Sequence, residues 1–142
     1  MSEEQASRRK VVRLTFPAEF EFLALLNVAV EETLRAAGAD EEIANAVANA
    51  VMEAGTNAVQ YGRPESEVEI EFHLGVGEIE IVVSDRGPGF DPERVSDLEE
   101  AAGSMALRGR GISIMKALMD EVIFEPREDG GTSVRMSKNL HL

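Results

Sequence analysis

Four short stretches of this sequence carry residue types whose spacing can do chemistry. The first is Glu53-Ala54-Gly55-Thr56-Asn57-Ala58-Val59-Gln60-Tyr61-Gly62. On a helix, Glu53 and Asn57 share one face, because residues four apart lie one turn above each other. The neighbours Ala50, Ala54 and Ala58 are small and leave room near that face. The amide oxygen of Asn57 is a hard ligand suited to Mg²⁺, and the Glu53 carboxylate can take a proton from a hydroxyl or a water. Gly55 in mid-helix costs about 1 kcal/mol against Ala, which points to something approaching closely there. Taken alone, the pair also fits a solvated Glu/Asn couple on an ordinary helix.

The second stretch is Ser84-Asp85-Arg86-Gly87-Pro88-Gly89-Phe90-Asp91. Asp85 ends an apolar strand and can accept a hydrogen bond from an exocyclic amine such as that of adenine. Gly87 and Gly89 let backbone pass close to a ring. The same residues also make a plain turn. The third stretch, Leu107-Arg108-Gly109-Arg110-Gly111-Ile112-Ser113-Ile114-Met115, reads as a glycine-rich, doubly basic loop feeding a helix. Free N–H groups at the helix start, with Arg108 and Arg110 adding charge, would make an anion site; a flexible loop whose arginines offset local acid is the plainer alternative. It lacks the Gly-Lys-Ser/Thr ending of a Walker A loop, and no strand leads directly into it as in a Rossmann fingerprint. The fourth is Gly130-Gly131-Thr132, a hairpin turn that also offers the Thr132 hydroxyl.

The elements that must position these residues follow from periodicity. Residues 1–9 are polar and read as a loose N-terminal tail, leaving 10–142 as one domain. Val11 to Phe16 reads as a strand ended by Pro17. Glu19 to Ala37 reads as a helix with Phe20, Leu23, Leu26, Val30 and Leu34 on its apolar face and Gly38 as its stop. Asp40 is suited to N-cap the next helix, with Glu41 and Glu42 in its first turn, and that helix runs to about Tyr61 before Gly62 and Pro64. The period then changes to two: Val68, Ile70, Phe72 and Leu74 alternate with Glu67, Glu69, Glu71 and His73. Glu78 to Ser84 is the next strand, followed by a long loop with a short helix near Glu93 to Ala102. Gly111 to Met119 reads as a helix, and Val122 to Glu125 with Thr132 to Met136 as a hairpin. The order β-α-α-β-β-loop-α-β-β implies an α/β chain: an α+β two-layer sandwich with a mixed, largely antiparallel sheet and helices on one face.

Composition narrows the classes. The chain has 142 residues, 44% apolar and 5% aromatic, with no cysteine and a formal net charge of −13. Disulfides and thiolate metal sites are excluded, which suits a reducing, cytoplasmic setting. No apolar stretch approaches the ~20 residues that span a bilayer, so no membrane role is expected. A surface this acidic repels phosphate backbones, so direct nucleic-acid binding is not expected; a basic protein surface would suit it as a partner, and charge that only aids solubility is the plainer alternative.

In this order and spacing, the four stretches resemble the N, G1, G2 and G3 boxes of the GHKL ATPase superfamily, over roughly residues 10–138. Glu53 to Gly62, the short lid between Gly89 and Gly109, and Gly111 to Val122 are most similar to the bacterial anti-sigma factor serine/threonine kinases. The resemblance implies a Bergerat-type fold holding ATP and Mg²⁺ between helices and lid. Asn57 would ligate Mg²⁺ and Asp85 would bind the adenine amine. Gly87 and Gly89 would shape the adenine pocket, and Gly109 and Gly111 would bring lid backbone to the phosphates. Thr132 would support Asp85 or its bound water, and Glu53 would be the general base. Arg108 and Arg110 are assigned to the phosphates by their charge alone. Tyr61 departs from the pattern, where many such kinases carry histidine.

The implied activity is that of an anti-sigma factor that binds a sigma factor and phosphorylates a STAS-type anti-anti-sigma protein, as a homodimer. The alternative is a non-catalytic ATP-binding switch, for which a base at Glu53 has no use. A stand-alone histidine-kinase-like ATPase domain ranks lower, because the only histidines are His73, in a strand, and His141, near the end of the sequence.

Overall fold

A computed structural model of the chain describes residues 9–86, 103–128 and 130–142, with side chains described throughout except at 103–109. The expected tail over residues 1–8, Gly87, Gly89 and the short helix near Glu93 to Ala102 lie outside the described residues. The chain begins with strand β1 (Lys10–Pro17), passes a 3₁₀ turn at Phe20–Phe22, and enters helices α1 (Leu23–Ala36) and α2 (Glu41–Tyr61). Strands β2 (Glu67–Leu74) and β3 (Glu78–Asp85) follow, then helix α3 (Gly103–Leu118) and strands β4 (Glu121–Pro126) and β5 (Thr132–Asn139).

The five strands form one sheet in the order β1-β2-β3-β5-β4. All four pairings are antiparallel, so the sheet is not mixed as expected. Each strand is antiparallel to its immediate neighbours, and α3 carries the chain from β3 past β5 to β4, which runs parallel to β3, a split β-α-β crossover. The alternation in β2 is obeyed literally: Val68, Ile70 and Phe72 are buried beneath the helices, and the glutamates between them face away. The uncovered face is held by cross-strand ion pairs, among them Arg13 to Glu71 at 2.8 Å and Arg135 to Glu80 at 2.6 Å.

Helix α1 stops where glycine permits it. Gly38 takes φ +71°, its N–H bonds the Arg35 carbonyl, and the Ala39 N–H bonds the Leu34 carbonyl, satisfying the last orphan acceptors. At the start of α2, Asp40 has the extended backbone of an N-cap, but its side chain makes no capping bond. Its carboxylate is engaged at the far end of the chain instead, accepting from the Leu142 N–H at 2.9 Å and facing His141 Nδ1 at 3.4 Å. The core between the layers joins Leu26, Val30 and Leu34 of α1, Val47, Ala50 and Val51 of α2, Ile112 and Met115 of α3, Met119 just after it, and the inward residues of the sheet.

One further expectation is corrected. The helix expected to begin at Gly111 begins at Gly103, so Leu107 to Gly111 is helix rather than loop. Each glycine costs roughly 1 kcal/mol there, but Met105, Ala106, Leu107 and Arg108 are strong helix formers and α3 packs along α2. At Gly55, read as a place of close approach, the neighbour is α1: a Cβ built on it would lie 2.5 Å from Leu26 Cδ2. Among the described residues no helix is long and apolar enough to cross a membrane.

Candidate functional site

Between α2, α3 and the β3–β5–β4 end of the sheet lies a cleft lined by Ala54, Asn57, Ala58, Val83, Asp85, Met115, Phe124, Thr132 and Val134. Its empty space is about 280 Å³, partly open to solvent. The enclosed part is far smaller, about 20 Å³, room for a water rather than a ring, so a ring system would have to widen the cleft or lie across its mouth. The alanines matter because α2 presents Ala54 and Ala58 on successive turns, leaving a shallow wall where larger side chains would fill the space.

The polar groups of the cleft come from its floor. Asp85 ends β3 and stands directly across from Thr132, the first residue of β5, in the antiparallel register. Asp85 is 8% exposed and Thr132 4%. The Thr132 hydroxyl is buried with no hydrogen-bond partner. An unsatisfied buried hydroxyl costs about 1–3 kcal/mol, so a polar ligand atom or an ordered water is the natural complement at this point. A carboxylate beside a hydroxyl, set in an apolar cleft, is suited to a flat heterocycle carrying an amine donor.

Gly131 makes this floor possible. A Cβ on it would lie 1.8 Å from the Asp85 carbonyl oxygen and 2.9 Å from Arg86 Cα, both backbone atoms that cannot yield. Gly130 before it adopts φ +95°. The turn between β4 and β5 is thereby laid against the end of β3, which fixes Asp85 and Thr132 side by side. Sequence reasoning assigned Gly131 no role beyond the turn; the Gly-Gly pair was the only signal, because its partner is distant in the sequence. Met115, Phe124, Val83 and Val134 were likewise missed as lining residues, since they read as ordinary core.

At the other end of the cleft stand Glu53 and Asn57, both half-buried on α2. Gly111 of α3 faces them: a Cβ there would lie 3.1 Å from Asn57 Nδ2 and 3.2 Å from Glu53 Oε2. The structure therefore brings Asn57, Asp85 and Thr132 into one cleft, with Glu53 and Gly111 beside Asn57 and outside its lining. Arg110 is exposed beside Gly111. Arg108 and Gly109 lie on the helix, their side-chain surroundings undescribed, and Gly87 and Gly89 lie outside the described residues. Because α3 starts at Gly103, the N–H groups of Leu107 to Gly111 fall within a helix, and the unpaired donors are those of its first turn. Among the described residues no group of three or more His, Cys, Asp or Glu could hold a metal alone. A Mg²⁺ ion at Asn57 would need phosphate oxygens as its further ligands, which suits the chemistry of that ion.

Known proteins resemble this chain in sequence and in fold. The family model described as the histidine kinase-like ATPase domain matches residues 16–138. The serine-protein kinase RsbW of Listeria innocua is 30% identical, over 96% of this chain and 91% of its own. The enzyme of the same name from Staphylococcus aureus is 28% identical over 94% and 89%. Among solved structures, the RsbU and RsbW domains of Rv1364c from Mycobacterium tuberculosis superpose with a TM-score of 0.69 at 20% identity, over 92% of this chain and 32% of that longer one. The catalytic domain of the histidine kinase ThkA superposes with a TM-score of 0.57 at 15% identity, over 92% and 98%.

Proposed function

Since the chain belongs to the histidine kinase-like ATPase family, and within it to the RsbW-type serine-protein kinases that it matches over nearly their full length, we propose that it transfers the γ-phosphate of ATP to a serine or threonine of a STAS-type anti-anti-sigma protein and, in its other state, holds a sigma factor. The observation that carries the reading is the cleft itself: an apolar slot with Asp85 and the orphaned Thr132 hydroxyl on its floor, Asn57 in its lining and Glu53 beside Asn57.

The division of labour follows from position. Asp85 accepts from the adenine amine, and Thr132 completes the polar edge directly or through a water. Gly87 and Gly89, which follow Asp85 in the sequence, shape the far side of the ring. Mg²⁺ would be held by the Asn57 carboxamide together with the phosphates and would neutralise their charge. Arg108 and Arg110 contribute positive charge towards the same groups. Backbone contact from Gly109 and Gly111 requires the first turns of α3 to open.

Glu53 lies one helical turn before Asn57. It accepts the proton of the acceptor hydroxyl as the oxygen bonds to the γ-phosphorus and the bond to the β-phosphate oxygen breaks. A positioned carboxylate in this role contributes about 10²–10⁴-fold in rate. The chain acts in the cytoplasm in this reading, and β1, an edge of the sheet, pairs with its twin in a homodimer.

The test is single-turnover transfer from labelled ATP to STAS-type proteins of the same genome. Glu53→Gln keeps the size and removes the base. It should bind ATP nearly normally yet transfer phosphate at least about a hundredfold more slowly. Transfer at the wild-type rate would remove Glu53 from the mechanism. ATP binding with no transfer by the wild type to any such protein would favour the non-catalytic switch.

A further inference from the structure

One ion cluster on the uncovered face of the sheet reaches the cleft from behind. The β2–β3 pairing runs from Leu74 opposite Ile79 to Glu69 opposite Ser84, one residue short of Asp85. Glu69 spans that last step with its side chain. Its Oε1 lies 4.0 Å from Arg86 Nη2, and its Oε2 lies 3.8 Å from Arg127 Nη1. One carboxylate thus stands between two guanidinium groups that come from the two sides of the cleft floor. Arg86 follows Asp85, and Arg127 opens the turn that leads to Thr132. That turn is closed by two bonds: the Arg127 N–H to the Gly131 carbonyl at 2.8 Å, and the Gly130 N–H to the Arg127 carbonyl at 3.1 Å. Arg127 and the start of β5 therefore move together.

Strand alternation turns this cluster into a lever. Successive side chains point to opposite faces. Asp85 lines the cleft, and Arg86 turns to the uncovered face, where Glu69 meets it. Whatever holds Arg86 there also holds Asp85 in the cleft. The Asp85–Thr132 rung is the last of the β3–β5 pairing. On its other side Thr132 stands opposite Pro126, which has no N–H to give the ladder. End rungs are where a sheet opens most readily. The packing of Gly131 against the Asp85 backbone limits how near the two ends come, but a steric limit does not draw them together. Glu69 supplies an attraction, and without it two like charges would be left close to each other beneath the floor.

We infer that Glu69 is a positioning residue for the nucleotide floor: through Arg86 and Arg127 it holds the strand end that carries Asp85 beside the turn that carries Thr132, and so sharpens the preference for adenine over guanine. The inference rests on the reading of this cleft as the nucleotide site. Glu69 and Arg86 are 44% and 56% exposed, and exposed ion pairs add little to global stability. The consequence therefore lies in where the floor sits, to which hydrogen bonds are sensitive. Adenine presents an amine where guanine presents a carbonyl oxygen. An Asp85 acceptor that drifts loses the first without gaining the second.

The test is calorimetric binding of Mg-ATP and Mg-GTP to the full chain, with urea midpoints on the same preparations. Glu69→Gln keeps the size and removes the charge. It should weaken ATP binding by about fivefold, leave GTP binding within about twofold and leave the urea midpoint nearly unchanged. Arg86→Gln should lose part of the same preference, and the double variant should be no worse than Glu69→Gln alone, because both break one contact. In about 1 M salt the wild type should fall to the ATP-to-GTP ratio of Glu69→Gln; the screening common to both triphosphates cancels in that ratio. An unchanged ratio in Glu69→Gln, or additive losses in the double variant, would overturn the assignment. So would equal losses of ATP and GTP with a lowered midpoint, which would make Glu69 a stabilising residue only. If the wild type shows no preference for ATP, or Asp85→Asn binds ATP equally well, the adenine reading of the floor fails separately. Amide exchange in the nucleotide-free chain then decides the clamp. Exchange at the Arg127 and Gly130 N–H groups at least about threefold faster in Glu69→Gln upholds it, and unchanged exchange overturns it.

Discussion

Asp85 and Thr132 sit at one end of the cleft with different burdens. The Thr132 hydroxyl is buried without a partner, so the ligand-free chain bears its desolvation. Thr132→Val keeps the shape and removes the hydroxyl. We expect it to raise stability by about 1 kcal/mol while weakening ATP binding, two changes of opposite sign that a general packing defect cannot produce. Urea midpoints and calorimetry on the same preparation read both. Asp85→Asn should weaken ATP binding by about 1–3 kcal/mol, because one carboxamide rotamer cannot serve the adenine amine and a second donor together. Equal ATP affinity in wild type and Asp85→Asn would take Asp85 out of the site.

Among the elements, α2 does two jobs with opposite faces. One face carries Glu53 and Asn57, and another is cut back at Gly55 to admit Leu26 of α1. Gly55→Val should therefore act on stability, lowering it by roughly 1–3 kcal/mol through overpacking against the buried Leu26. ATP affinity of the folded protein should change little; a large loss of affinity at normal stability would mean that Gly55 faces the ligand instead. Much of this scale was legible in advance. The two-residue period of β2, the stop at Gly38 and the run of α2 to Tyr61 follow from local sequence, and the structure places them accordingly. What was not legible depended on distant neighbours. The glycines of Leu107 to Gly111 suggest a loop until α2 is there to pack against. Nothing local distinguishes Gly131 from any hairpin glycine until the end of β3 is laid against it. Asp40 has the residue type of a capping side chain, and only the far end of the chain diverts it.

At the scale of the whole molecule, Asp40 ties the beginning of α2 to residues 141–142. The Leu142 N–H, and after it His141, hold the Asp40 carboxyl below the usual range. A carboxyl lowered in the folded state stabilises above its unfolded value, and that contribution is lost as pH falls through the folded one. Asp40→Ala should thus be less stable than wild type at pH 7, and the gap should begin to close below about pH 4. Denaturant midpoints across that range check the sign. A gap that widens on acidification would mean the clasp is not electrostatic. The proposed dimer belongs here too: β1 is an open edge, with Val11 and Val12 partly exposed along it. Light scattering should give twice the 15.4 kDa monomer mass at high micromolar concentration; a monomer there would sink it.

The register that sets Asp85 against Thr132 also bears on how the protein comes into being. Strand β1 leaves the ribosome early, but its only partner in the sheet is β2, which starts at Glu67. At synthesis rates of about 5–20 residues per second, its apolar residues wait several seconds for cover. The nucleotide floor waits longer, because Asp85 has no counterpart until Thr132 has been made. A nascent chain truncated within β4 would already hold Glu53, Asn57 and Asp85, yet it should not select adenine. Competence to bind ATP therefore waits until β5 has been made, and a chain that ends before it has little opportunity to sequester nucleotide.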